Sequence, residues 1–219
     1  MSEPRQAIGL YGGTFNPVHH AHLRLAEEAC DALNLQEVRW IPAGQPPHRE
    51  APQVSAEQRL TMVRLATAGN PRFSVDAAEV EAQTYSYTIL TLERLRQHYG
   101  PAQPLVLLLG ADAAAGLASW HRWQEIFLHA HVAIAERPGV TLATAQLPSA
   151  LTAEFTQRAA HGDALHHSPG GCVVHFPLTA LAISATRIRQ LLATGQSARY
   201  LLPDSVVDYI RAHSLYHTA

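Results

Sequence analysis

Short apolar runs and helical-period segments alternate from one end of the chain to the other. Ala7 to Leu10 is apolar and reads as a first strand. Leu23, Ala26, Cys30 and Leu33 then recur at helical spacing on one face of a first helix. Glu37 to Pro42 predicts a second strand, and Ser55-Ala56-Glu57-Gln58 is a capping-box pattern that starts a helix running to about Ala68. Gly69-Asn70-Pro71 stops that helix, and Phe73 to Asp76 follows as a third strand. Ile89, Leu92 and Leu95 mark a further helix, with Ser86 or Thr88 as its cap and Gly100 as its end. Leu105 to Leu109 is unbroken in hydrophobicity, as a strand buried on both faces should be. Val132 to Ala135 and Cys172 to Phe176 are the remaining strands. Between them, residues 141 to 170 read as an Ala-rich helical segment followed by a His/Gly/Pro loop.

Strands alternating with helices predict an α/β fold, a Rossmann-like, doubly wound parallel sheet with helices on both sides. Near the end, Ser184 caps a helix whose Ile188, Leu191 and Leu192 face inward and which Gly195 closes. Val206, Val207 and Ile210 form the inner face of a last helix. The expected organisation is one domain over residues 1–219, with the helices from about residue 183 packed on it as a C-terminal appendage. There is no internal repeat and no interdomain linker.

Composition narrows this little. The 219 residues are 47% apolar, enough for a substantial core, and the formal net charge of −2 argues against broad nucleic-acid binding. Cys30 and Cys172 have neither disulfide nor zinc spacing and read as buried structural thiols, Trp123 as a core residue. No apolar core follows the first residues, and no stretch approaches the ~20 apolar residues of a membrane span, so a cytoplasmic protein without membrane partners is expected. Oligomeric state is not legible.

The chemistry concentrates at Gly12-Gly13-Thr14-Phe15-Asn16-Pro17-Val18-His19-His20-Ala21-His22, between the first strand and the first helix. A strand, a Gly-bearing turn and a helix start place unpaired N–H groups and a positive helix end at one point, which suits phosphate. Gly12 and Gly13 allow unusual dihedrals and close approach of a ligand. His19 and His22, three residues apart, can lean into that site together. They form no metal set, because no Cys, Asp or Glu lies near them in the sequence, and no Gly-Lys-Ser/Thr follows to make a P-loop. A second phosphate-handling cluster is Ile183-Ser184-Ala185-Thr186-Arg187-Ile188-Arg189, with hydroxyls and guanidinium groups at a helix start. His48 and Arg49 follow the second strand, and Asp112 follows the fourth beside Gly110, where ligands of open α/β sheets bind. Each has an ordinary reading as well: a solvated basic loop for His48-Arg49, an N-cap for Asp112, space-filling for Trp120.

Taken together, the first string resembles the Gly-x-Phe-x-Pro-x-His-x-Gly-His signature of the nucleotidyltransferase superfamily, with Ala21 at the position of its last Gly. Ile183-Ser184-x-Thr186-x-Ile188-Arg189 resembles that superfamily's second signature. With Pro46-Pro47-His48-Arg49, Ser86-Tyr87-Thr88, Gly110-x-Asp112, Trp120 and Leu201-Leu202-Pro203, the chain from Ile8 to about Tyr216 is similar to the bacterial nicotinate mononucleotide adenylyltransferases. The resemblance implies adenylyl transfer from ATP to nicotinate mononucleotide, giving nicotinate adenine dinucleotide and pyrophosphate without a covalent intermediate. It implies His19, His22 and Arg189 as catalytic residues. It implies ATP contacts from Gly12, Gly13, Thr14, Phe15, Gly110, Asp112, Ile183, Ser184 and Thr186. It places the mononucleotide on Tyr87, Thr88, Trp120 and His121, with His48, Arg49 and Arg137 as further candidates. Mg²⁺ is expected to arrive with ATP rather than in a protein cage. Another phosphorylated acceptor such as phosphopantetheine, cytidylyl transfer, or a noncatalytic nucleotide-binding protein are the alternatives.

Overall fold

The computed structural model describes residues 5–46, 54–82, 84–136 and 147–217. Six strands form one all-parallel sheet: β1 (Ile8–Gly13), β2 (Glu37–Pro42), β3 (Phe73–Val75), β4 (Leu105–Gly110), β5 (His131–Glu136) and β6 (Val173–Pro177). Their order is β3-β2-β1-β4-β5-β6, the expected Rossmann-like arrangement. The direction of winding reverses between β1 and β4, and such a point opens a crevice beyond the strands' C-terminal ends.

Alternation along the strands divides the core. Tyr11, Val106, Leu108, Ala133 and Val174 face one layer, which contains α1 (His20–Ala32), α2 (Ala56–Thr67), α8 (Ala185–Ala193) and α9 (Asp204–Ala212). Ile8, Leu10, Leu105, Leu107, Val132 and Ile134 face the other, covered by α4 (Thr88–Tyr99), α6 (Ile126–His129) and α7 (Ser149–Arg158). Two short helices, α3 (Ala78–Glu81) and α5 (Ala111–Ala115), line the C-terminal edge of the sheet. Leu105 to Leu109 are all 4% exposed or less, which is why that strand shows no alternation in the sequence.

Several local expectations hold. Ser55 Oγ accepts from Gln58 N–H at 3.3 Å, and Gln58 Oε1 accepts from Ser55 N–H at 3.2 Å, closing the capping box. Gly100 ends α4 with φ +80°, and Val206, Val207 and Ile210 are buried. Others are corrected. Neither Ser86 nor Thr88 caps α4: its N-cap is Tyr87, and Ser86 Oγ instead accepts the Gly44 N–H at 2.9 Å. The α1 stripe centres on Leu25, Ala26, Ala29 and Cys30, leaving Leu23 at its half-buried margin, and Leu191 is likewise half-buried. Trp123 and Cys172 are half-buried rather than core. Cys30 is buried as expected, and burial pushes its thiol up to about 11. Within residues 141 to 170, the helix is α7 and the loop contains a 3-10 turn at Gly162–His166. No helix among the described residues is long and apolar enough to cross a membrane.

Candidate active site

A cleft of about 1310 Å³ opens where β1 and β4 end. It is lined by Gly12, Gly13, Thr14, Phe15, His19 and His22 from the first strand–helix connection, and by Gly110 and Asp112 from the fourth. Tyr87, Thr88, Trp120 and His121 line it from one side, and Ile183, Ser184, Thr186 and Arg189 from another. The two phosphate-handling strings, 161 residues apart between His22 and Ile183, thus share one cavity. His48, Arg49 and Arg137 lie outside the described residues.

The glycine expectation needs revision. Gly12 and Gly13 are strand residues, and the left-handed backbone falls on Phe15, with φ +47°. A Cβ at Gly12 would meet nothing within 4 Å, so the packing around the turn does not itself demand glycine there. The loop is held instead by long-range bonds to its carbonyls and side chains. Arg59 Nη1 donates to Thr14 O at 2.7 Å, and Arg189 Nη1 to Asn16 O at 2.7 Å. Tyr216 Oη, from the far end of the chain, donates to Asn16 Oδ1 at 2.7 Å. The Asn16–Pro17 peptide is cis.

His19 is the N-cap of α1 and His22 lies in its first turn. Their rings stack, with centroids 3.6 Å apart and planes 18° from parallel. His22 Nδ1 accepts the His19 backbone N–H at 3.2 Å, which puts the proton of a neutral His22 ring on Nε2. Phe15 stands edge-on to His22 at 5.2 Å, with Tyr11 at 6.3 Å. Burial desolvates His22 and holds it well below its ordinary value, aided by the neighbouring His19. Burial likewise lowers His19 to about 4. Its Nδ1 is buried and has no partner among the described residues. Both rings therefore favour the neutral form near pH 7 in the ligand-free protein.

That neutrality has a measurable consequence. As pH falls below about 6.5 the unfolded chain takes up protons that folded His19 refuses until about 4, so stability declines across that window. We expect a lower Tm at about pH 5 than at about pH 7.5, and a smaller fall in a His19→Gln variant. His131, also lowered by burial, contributes to both proteins and cancels in the comparison, whereas His22, lowered in part by His19 itself, adds to the same fall in the wild type. Identical pH profiles would show that His19 is not held neutral.

Not all first-turn N–H groups of α1 are free for a ligand. His20 N–H donates to Leu201 O at 3.0 Å, and His22 N–H to His19 O at 2.9 Å. The expectation for α1 therefore contracts to Ala21, which lines the cleft and whose N–H has no backbone acceptor among the described residues. At α8, Ser184 is the expected N-cap and accepts from Arg187 N–H at 3.2 Å. Arg189 reaches from α8 across to Asn16 and also donates to Thr186 Oγ1 at 3.4 Å, so it ties the second cluster to the first.

On the opposite wall, the backbone N–H groups of Thr88 and His121 have no acceptor among the described residues. Thr88 opens α4, where such groups lack intrahelical partners. The Tyr87 and His121 rings meet at 4.7 Å and hold the two segments together. Trp120 is half-buried against the second core cluster and lines the cleft. Asp112 is not an N-cap; Gly110 is, and Asp112 sits exposed in the first turn of α5. Among the described residues no group of three His, Cys, Asp or Glu could hold a metal ion. Sequence reading missed Arg59 and Tyr216. Arg59 carried a signal, as a charged residue one helical turn from the fully buried Met62 and Val63 of α2. Tyr216 carried none.

This site and sheet define a nucleotidyltransferase: the cytidylyltransferase-like family matches residues 10–191, and the chain belongs to that family. Within it the chain stands with the nicotinate-nucleotide adenylyltransferases. A Dechloromonas aromatica (strain RCB) protein named "Probable nicotinate-nucleotide adenylyltransferase" is 62% identical, with 100% of both chains covered. A Pseudomonas putida (strain W619) protein of the same name is 47% identical, over 95% of this chain and 94% of that one. The fold is also that of the Plasmodium falciparum nicotinic acid mononucleotide adenylyltransferase complexed with NaAD. That structure has a TM-score of 0.72 at 15% identity, over 97% of this chain and 98% of that one.

Proposed function

We propose that the chain transfers the adenylyl group of ATP to nicotinate mononucleotide, forming nicotinate adenine dinucleotide and pyrophosphate in NAD biosynthesis. The observation that carries this reading is the shared cleft: paired imidazoles and Arg189 stand on one side, unpaired N–H groups beside Trp120 on the other. The donors on the first wall suit a polyphosphate, and the indole and N–H groups on the second suit a pyridine ring.

The mononucleotide's phosphate oxygen attacks the α-phosphorus of ATP; the new P–O bond forms as the bond to the β-phosphate oxygen breaks, and pyrophosphate leaves with that electron pair. The nucleophile is already anionic, so no general base is needed. The residues' task is alignment and stabilisation of charge on the α-phosphate and leaving group. Nε2–H of His22 donates to an α-phosphate oxygen, with His19 stacked behind it. Arg189, Ser184 and Thr186 hold the β- and γ-phosphates. ATP enters as its Mg²⁺ complex, the cation remaining partly hydrated.

The test is incubation with ATP, Mg²⁺ and nicotinate mononucleotide, with both products identified by mass; phosphopantetheine as acceptor and CTP as donor run in parallel. Product from either of the latter in preference would replace this reading. Arg189→Ala should raise KM for ATP about tenfold or more, since a charge-assisted bond contributes ~1.5–3 kcal/mol. KM for the mononucleotide should change less, and the reverse order would remove Arg189 from the triphosphate.

A further inference from the structure

We propose that Arg59, on α2 and outside every motif above, is a positioning residue that fixes the distance between the two substrate-bearing walls of the cleft. The inference rests on the adenylyl-transfer reading and goes beyond it by naming what keeps the two substrates in line.

Arg59 is 1% exposed, and its two terminal nitrogens divide between two loops. Nη1 donates to Thr14 O at 2.7 Å, in the phosphate loop after β1. Nη2 donates to Gly44 O at 2.9 Å, in the loop after β2. No described carboxylate forms a salt bridge with it, so both strong bonds are spent on backbone.

Gly44 is itself stitched to the pyridine wall. Its N–H donates to Ser86 Oγ at 2.9 Å, and Gln45 O accepts the Ser86 N–H at 2.9 Å. Tyr87 and Thr88 follow directly. A Cβ on Gly44 would lie 2.0 Å from Glu79 O, so only glycine lets the loop press this closely against α3. The connection therefore runs from Thr14 through Arg59 and Gly44 to Ser86, and every joint is a hydrogen bond to backbone or a hydroxyl. A rigid planar fork can set two acceptors at a fixed separation; an ammonium group on a flexible stem cannot.

Each wall still holds its own substrate without this strut, but the attacking oxygen and the α-phosphorus lose their alignment. The signature is thus a slow chemical step with preserved binding. In Arg59→Lys we expect the single-turnover rate of dinucleotide formation at saturating substrates to fall about 10- to 100-fold, as small misplacements do. Dissociation constants for ATP and for nicotinate mononucleotide, each measured alone, should stay within about threefold.

Arg96 supplies the matched control. It too donates only to backbone, to Gly100 O at 3.1 Å, Gln103 O at 2.5 Å, Pro169 O at 2.9 Å and His129 O, but beside the start of β4. Arg96→Lys should lower Tm and leave the single-turnover rate unchanged. A normal rate in Arg59→Lys, whatever its Tm, overturns the proposal, as does loss of affinity for one substrate alone with a normal rate at saturation. If Arg59→Lys does not fold, Ser86→Ala loosens the same strut from its other end and must show the same slow step; a normal rate there overturns the proposal equally. A wild-type protein that forms no dinucleotide defeats the functional reading first, and Arg59's role falls with it. An active wild type with an unimpaired variant defeats Arg59 alone.

Discussion

His22→Ala should retain the fold and lose turnover by ~10²–10³-fold, the range for removing one preorganised donor at a developing charge. Nδ1 of His22 is committed to the His19 N–H, so the ring presents Nε2–H in a fixed tautomer. Phe15 and Tyr11 shield it, so the bond to a phosphate oxygen would form in a medium of low polarity and be stronger there. His22→Gln, which keeps an N–H donor but not the ring's placement, should recover part of the rate. Kinetics are read beside Tm, because deleting the ring also removes packing against Phe15. A folded His22→Ala protein with near-normal turnover would take His22 out of the chemistry.

The second large effect is the choice of pyridine. Nicotinate mononucleotide should be preferred over its nicotinamide counterpart by about tenfold or more in kcat/KM. The free N–H groups of Thr88 and His121 can each donate to one carboxylate oxygen. A neutral amide offers one oxygen and turns its own N–H donors toward the second, leaving it unmet. A lost charge-assisted bond costs at least ~1.5 kcal/mol. That is about one decade, at ~1.4 kcal/mol per decade. His121→Ala keeps the backbone donor and should keep most of the preference. Trp120→Ala removes a stacking surface and should weaken both substrates alike. Equal use of both mononucleotides by the wild-type protein would show that these N–H groups do not read the ring's substituent.

Much of the fold and of the site is legible in short stretches of the chain. The unbroken Leu105 to Leu109 run, the capping box at Ser55 and the helix stop at Gly100 are local signals, and each appears where expected because its cause is contained in a few neighbouring residues. The misplacements at α4 and at Gly12 and Gly13 share a different cause. Ser86 is a good cap by type, but Gly44, 42 residues earlier, takes its hydroxyl. The left-handed backbone lies on Phe15 rather than on a glycine because Arg59, Arg189 and Tyr216 brace that loop from three distant segments.

The sequence by itself determined the alternation of strands and helices and the two glycine- and hydroxyl-bearing strings at helix starts, since periodicity, capping and motif spacing are properties of short segments; the pyridine-side residues are named only through the family resemblance. Only the tertiary structure decided that both imidazoles favour the neutral form, which α1 N–H groups remain free, and that a buried arginine joins the two walls. Desolvation depends on what packs against a ring, and a hydrogen bond goes to whichever acceptor the fold brings within about 3 Å, wherever it lies in the chain.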